Sequence, residues 1–274
     1  MYTDSMQVGQ LIEYQKLKDR AIALIRGKLL SGNLPPASRL SEVAIANEFG
    51  ISRTPVREAM VQLHAEGLVD QLPRYGWFVR APDRAELVEL YELRELLEGH
   101  AAACAASVST DANVADLRCC VTEFRSAVRL MNDDHRLALE IDQLERTTSL
   151  DLRFHETILR ICGNGWVMKI AGQCRLIGRL HAAKWRSSAV IGALKGGDPS
   201  RQEVVIAEIL RTNYLTLRQH HQIYRAIRRH DPPIARQVMS QHIRTGLANV
   251  LRHVDGNPSV DRVPTALAVA RRKS

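Results

Sequence analysis

Four side chains carry the chemistry that stands out in this sequence. Asp151 and His155 are four residues apart, so a helix through them presents a carboxylate and an imidazole on one face. His220 shares helical spacing with Ile223 and Ile227, which points it towards a core. His242 lies beyond a break at Asp231-Pro232-Pro233, on what reads as the next helix. Two consecutive antiparallel helices would bring His220 and His242 towards the Asp151–His155 pair. Three imidazoles and one carboxylate suit zinc, nickel or another first-row divalent ion, with positions left open for water or an acid ligand. The gaps are long and the chain has 10 histidines, so spacing alone also admits a set of satisfied core imidazoles.

A second group lies near the N-terminus, in Ile51-Ser52-Arg53-Thr54-Pro55-Val56-Arg57-Glu58-Ala59-Met60. Pro55 suits a first helical position, and Ser52 and Thr54 are competent caps. Val56, Met60 and Leu63 repeat at spacings of four and three and form one apolar face. That leaves Arg53, Thr54 and Arg57 off the face, beside the positive end of the helix dipole. Guanidiniums and exposed N–H groups at a helix start suit an anion or the base edges of a DNA major groove. A capped helix with solvated arginines is the plainer alternative.

The elements that would position these residues are mostly helical. Residues 1–10 have no pattern and read as an arm. Leu17, Ala21, Leu24, Ile25 and Leu29 predict a first helix, which Gly32-Asn33-Leu34-Pro35-Pro36 ends. Arg39-Leu40 follows, then Ser41 as the cap of a short helix and Phe49-Gly50 as a turn. With 51–66 as recognition helix, this is a helix-turn-helix. Residues 68–72 and 77–79 are β-type runs around Pro73-Arg74-Tyr75-Gly76, a hairpin that would form a wing. Its tip offers Arg74, Tyr75 and Gly76 to a phosphate or minor groove. Ala81-Pro82-Asp83 is a natural boundary. Beyond it the segments 84–107, 111–131, 134–162, 165–190, 201–230 and 232–254 read as helices, with a break expected near Thr147-Thr148-Ser149. Gly192 to Ser200 reads as a loop, and 255–274 as a disordered tail.

Composition is permissive. The net charge of +8 tempts one towards nucleic acid, but its distribution weakens that argument. Residues 1–80 carry ten Lys/Arg against eight Asp/Glu, 81–150 seven against fourteen, and 151–254 seventeen against six. The basic excess therefore sits mostly outside the segment that would read DNA, and placement must carry the case. No apolar run approaches the ~20 residues of a membrane span, and no signal peptide precedes the first helix pattern. The 5 cysteines include adjacent Cys119-Cys120 and no C-x-x-C pair, which fits reduced thiols in a cytoplasm.

Residues 17–80 resemble the DNA-binding domain of the GntR family of bacterial transcriptional regulators. The resemblance is carried by Gly32-Asn33-Leu34-Pro35-Pro36, Arg39-Leu40-Ser41-Glu42, Ile51 through Ala59, Glu66-Gly67-Leu68-Val69 and Gly76-Trp77-Phe78-Val79. It implies that Arg39, Ser52, Arg53, Thr54, Arg57 and Gly76 contact operator DNA. The chain departs from the family at Ala37, where Gly is usual, and at Tyr75, where Arg is more usual. Residues 84–254 resemble the all-helical effector domain called FCD, through Glu89-Leu90-Tyr91-Glu92-Leu93-Arg94, Glu98, Asp151-Leu152-Arg153-Phe154-His155, Gly163-Asn164 and the His220 to Ile243 series. By that resemblance Asp151, His155, His220 and His242 fill the FCD metal positions, with His220 preferred to His221. Arg94 either reaches an acidic effector or pairs with Glu98 one turn on.

The chain is thus expected to be mainly α. A winged helix-turn-helix over 1–81 would precede an FCD helical bundle over 84–254 for effector binding and dimerisation. The function that follows is a homodimeric regulator, a repressor by the family's commoner habit. It would bind a near-palindromic double-stranded operator and respond to a small carboxylate metabolite at a divalent metal. Two alternatives stay open: a metal-dependent enzyme in the second domain, which shows no clear general base or nucleophile beyond the ligands, and a DNA-binding dimer that senses nothing.

Overall fold

The order of elements follows from where apolar faces and chain-breaking residues fall. The structure is a computed structural model that describes residues 2–31, 33–134, 141–196 and 199–255. The expected tail at 255–274 lies almost wholly outside the described residues. Contacts divide the chain into two compact units, the first running to Asp83 and also taking in Arg179–Lys184, the second formed by Arg84–Gly178 and the described residues from Trp185 on.

In the first unit α1 (Tyr2–Ser31) packs on α3 (Arg53–Ala65), with α2 (Glu42–Phe49) beside α3. Ala21, Ile25 and Leu29 of α1 and Val56, Ala59, Met60 and Leu63 of α3 are buried together in its core. Two expectations change here. Residues 2–10 belong to α1 rather than to an arm, and Leu24 is exposed while Ile22 is buried in its place. Ser41 caps α2 by accepting from the Ala44 N–H at 3.3 Å. Gly50, at φ 65°, closes α2 in the left-handed conformation that glycine adopts without a Cβ penalty.

Helix α3 starts two residues earlier than Pro55 suggests. Ser52 is the N-cap residue but makes no capping hydrogen bond, and Thr54 lies inside the helix. Pro55 therefore occupies the third helical position, where an N–H also lacks an intrahelical partner. Its ring costs the helix nothing there. The wing is a three-stranded sheet, ordered β1 (Arg39–Leu40), β3 (Gly76–Val79), β2 (Val69–Leu72), all antiparallel. The hairpin was expected. The third strand was not, because two residues carry no readable alternation; pairing of Arg39 with Phe78 and Leu40 with Trp77 makes it a strand.

The second unit holds α4 (Arg84–Val108), α5 (Asp111–Asp133), α6 (Ile141–Cys162), most of α7 (Gly165–Gly196), α8 (Pro199–Arg228) and α9 (Pro232–Asp255). Helix α4 is central and packs on α6, α8 and α9. Its run of buried alanines, 101–103 and 105–106, keeps that approach close. Tyr91 is clasped between Gly178 and Gly246, where an added Cβ would stand 3.2 and 3.4 Å from its ring. The break expected in α6 is absent. Thr147 and Thr148 instead turn their hydroxyls back to the Leu144 carbonyl, at 3.1 and 2.6 Å, and the helix continues. The Gly192–Ser200 loop shrinks as well, since α7 runs to Gly196 and α8 begins at Pro199. Among the described residues the protein is mainly α, as expected, with nine helices and one small sheet.

Ala37 explains its own rarity. Its backbone has φ 64°, and its N–H is committed to the Val79 carbonyl at 3.0 Å, so the left-handed turn is tied to the sheet. An alanine there costs roughly 1–2 kcal/mol, partly offset by the unfolded-state entropy that glycine would add. Ala37→Gly is therefore expected to raise the stability of the first unit by roughly 0.5–1 kcal/mol, read as a higher melting temperature. An unchanged or lower value would show that the turn bears no strain.

Candidate metal centre and nucleic-acid interface

The second unit gathers three of its histidines and one aspartate at one point. Helix α6 supplies Asp151 and His155 one turn apart, α8 supplies His220 and α9 supplies His242. One ligand atom from each lies within 4.8 Å of the others. Nε2 of His155 is 3.1 Å from Nε2 of His242, and Asp151 Oδ1 is 3.3 Å from His220 Nε2 and 3.7 Å from His155 Nε2. His155, His220 and His242 are buried, while Asp151 is 33% exposed at the open side. His221 lies outside the cluster, its ring beside Tyr224.

Hydrogen bonds around the cluster fix where the ring protons are. Thr245 donates its hydroxyl to the Gln241 carbonyl at 2.8 Å, so its oxygen accepts from Gln219 Nε2 at 3.0 Å. That leaves Gln219 Oε1, an acceptor only, against His242 Nδ1 at 2.9 Å, and His242 must donate from Nδ1. The Glu98 carboxylate likewise accepts from His155 Nδ1. With both rings neutral, the two Nε2 atoms face each other as lone pairs. Burial, and then the neighbouring His220, push His242 down to about 3, so His242 itself brings no second proton to that gap near neutral pH. Burial alone would raise Asp151, but His220 and then Arg175 outweigh it and hold the carboxyl well below the usual range. His220 makes no hydrogen bond through either ring nitrogen; its ring is held by stacking on Phe154, with centroids 4.0 Å apart. Its 3.3 Å approach to Asp151 Oδ1 lies outside hydrogen-bond geometry. Converging lone pairs, an ionised carboxylate and outward-facing ring protons are what a divalent cation requires.

Around this cluster lie buried charges, of which Glu98 is the hub. Its Oε1 accepts from Arg94 Nε at 2.8 Å, and its Oε2 faces Arg175 Nη1 at 3.4 Å besides His155. Arg94 thus makes the one-turn ion pair with Glu98, and its guanidinium also lies 4.6 Å from the Tyr91 ring centre. Arg175 is 2% exposed, reaches Asp151 Oδ2 at 3.5 Å, and keeps an Nε with no hydrogen-bond partner. Sequence reading missed Arg175 and Gln219. Arg175 stands one turn from Ala171, but Arg179 follows one turn on along the same face of α7, so spacing did not single it out.

In the first unit Ser52, Arg53, Thr54 and Arg57 are all exposed along the start of α3. Arg39, Arg74 and Tyr75 are exposed in the wing, with Arg74 at φ 67° and Gly76 at φ 96° in its turn. A Cβ on Gly76 would stand 3.9 Å from both Nε and Nη2 of Arg39, so the Arg39 side chain lies along that turn. Glu42, quoted above only as part of a motif, organises the surface. Its carboxylate meets Arg57 at 3.1 Å and Arg53 at 3.8 Å, and accepts from the Trp77 indole at 3.0 Å. One carboxylate thereby ties α2, the start of α3 and the wing together. Desolvation would raise Glu42, but hydrogen bonds from Arg57 and Trp77 and the two arginine charges outweigh it and leave it low.

The sign of the resulting pH dependence follows. A depressed folded-state pKa contributes stability that is fully present above the unfolded glutamate value, about 4.3, and lost as pH falls through the folded value. Glu42→Gln is expected to cost about 1.5–3 kcal/mol near neutral pH, the range for hydrogen bonds to a charged group. Urea unfolding should show the two proteins converging under acid conditions. A constant difference across that range would mean that the charge of Glu42 is not what acts.

Comparisons with known proteins agree with these two constructions. Residues 17–79 match the family described as bacterial regulatory proteins, gntR family, and residues 89–245 match the FCD domain. An uncharacterized HTH-type transcriptional regulator of Streptomyces ambofaciens is 30% identical over 90% of this chain and 91% of its own length. The HTH-type transcriptional repressor RspR of Escherichia coli K12 is 24% identical over 86% and 89%. The gluconate operon transcriptional repressor of Bacillus subtilis is 28% identical over 53% and 55%. Among solved structures, E. coli McbR/YncC matches with a TM-score of 0.62 at 19% identity, over 86% of this chain and 97% of that one. Among the described residues no helix is long and apolar enough to cross a membrane. The chain belongs to the GntR family of bacterial regulatory proteins and carries an FCD domain behind its winged helix: it is a DNA-binding transcriptional regulator, not an enzyme.

Proposed function

We propose that the protein is a cytoplasmic, homodimeric repressor released from its operator by a small carboxylate. Residues 1–81 bind the DNA, and 84–254 dimerise and sense. Two copies of α3 enter successive major grooves of a near-palindromic site, with Arg53, Thr54 and Arg57 towards base edges and phosphates. Ser52 and Arg39 add backbone contacts, and Arg74, Tyr75 and Gly76 do so from the wing. Two of the relatives named above are repressors, which favours repression here. Arg53→Ala is expected to weaken specific operator binding by about 10- to 100-fold, the cost of one good base contact, with the fold intact by circular dichroism. Unchanged affinity and sequence preference would remove α3 as the reading helix.

The sensing half rests on one observation: the two buried Nε2 atoms of His155 and His242 face each other 3.1 Å apart with their protons committed elsewhere. A zinc or nickel ion held by Asp151, His155, His220 and His242 resolves that arrangement. Such an ion supplies a Lewis-acidic centre for a carboxylate. Arg175, with an uncommitted Nε, and Arg94 lie beside Asp151 and Glu98 to orient the anion by charge-assisted hydrogen bonds. Effector binding then favours one arrangement of the dimer over another by its differential affinity.

Metal analysis of the purified protein, followed by a thermal-shift screen of carboxylates and sugar acids with and without chelator, tests this half. A responding acid at a hundred times its Kd should add about 2.7 kcal/mol of stability. That gain should vanish after chelation and in Asp151→Asn. A protein that purifies without metal and responds identically in both forms would refute the metal-centred sensor.

A further inference from the structure

A second group of ligand-type side chains lies in the same helical unit. His100 and Cys104 are one turn apart on α4, and Cys162 is the last residue of α6, which packs against α4. One ligand atom from each lies within 4.8 Å of the others, and the imidazole Nε2 is 3.4 Å from Cys104 Sγ. In a tetrahedral zinc site, bonds of about 2.3 Å to sulfur and about 2.0 Å to nitrogen place those atoms about 3.5 Å apart. Two thiolate sulfurs in the same site stand about 3.8 Å apart. The three side chains are thus near the spacing that one ion demands, before any ion pulls them in.

We propose that His100, Cys104 and Cys162 form a second metal site, selective for a thiophilic ion of the zinc class. Two sulfurs and one imidazole make a soft donor set, unlike the oxygen and three nitrogens of the Asp151 cluster. His100 is exposed and both cysteines are half-buried, so the fourth position opens to solvent and the ion exchanges readily. On binding, each thiol gives its proton to water and each sulfur forms a bond to the metal; nothing is oxidised or reduced.

The site joins α6, which carries Asp151 and His155, to α4, which carries the Glu98 that holds the His155 ring. Glu98 lies two residues before His100 on α4, and His155 lies seven residues before Cys162 on α6. An ion at the second site therefore fixes α4 against α6 and stiffens the frame on which the first depends.

Cadmium titration of the reduced, chelator-treated full-length protein tests this proposal, with thiolate-to-cadmium charge-transfer absorption as the readout. The wild-type protein and Asp151→Asn should both develop a band that saturates at one ion per chain. Cys104→Ser and Cys162→Ser should each lose it, and His100→Ala should weaken the affinity at least tenfold. Far-UV circular dichroism checks each fold, and either cysteine variant suffices if the other misfolds. A band that survives in both cysteine variants arises from Cys119, Cys120 or Cys174 and overturns the site. So does the absence of a band, or a Cys104–Cys162 disulfide in air-exposed protein whose reduced form takes up no cadmium.

Discussion

The helical unit depends on a constraint of charge. Glu98, Arg94, Arg175 and three imidazoles sit inside it, with Asp151 at its open side. Buried charges are tolerable only when each finds a partner, and removing one partner strands the other. Here the partners come from α4, α6, α7, α8 and α9, so no helix can shift without unpairing a neighbour. The cluster is a specification of geometry more than a source of stability. It fixes the ring orientations of His155 and His242 through Glu98 and Gln219, and leaves lone pairs where a cation would draw them together.

The first unit solves a smaller version of the same problem at its surface. Arginines proposed to read DNA must stay exposed, yet long flexible side chains carry an entropic cost when they are ordered. Glu42 reduces it by holding Arg53 and Arg57 near one carboxylate while also taking the Trp77 proton. The domain is nearly neutral overall, so its field is local, built from a helix start and a few guanidiniums. That fits a reader of particular base edges better than a general polyanion sponge.

Much of this was legible beforehand, and the misses have physical causes. The six helices after Asp83 followed from apolar periodicity, because each buries one stripe against its neighbours. The expected break in α6 failed because threonine hydroxyls can bond back to the preceding turn as readily as they start a new one. Strand β1 was invisible at two residues, being a strand only by virtue of its partner. Pro55 was placed two positions too early, since any of the first helical positions spares its missing N–H. Leu24 was assigned to a buried face that Ile22 occupies, an error of rotation about one helix axis.

By itself the sequence determined what is local or repeated. It carried the helix stripes, the capping and turn residues, the one-turn spacing of Asp151 and His155, and the ordered motif text of two family domains. Tertiary structure alone decided what depends on distances between elements far apart in the chain. It supplied the packing that brings His220 and His242 to the α6 pair, with His220 rather than His221 as the family resemblance implied, enlisted Arg175 and Gln219, and placed Cys162 beside His100 and Cys104. Periodicity fixes which way a side chain points from its own helix axis. Which neighbour it meets depends on how the helices pack, and no spacing within one segment encodes that.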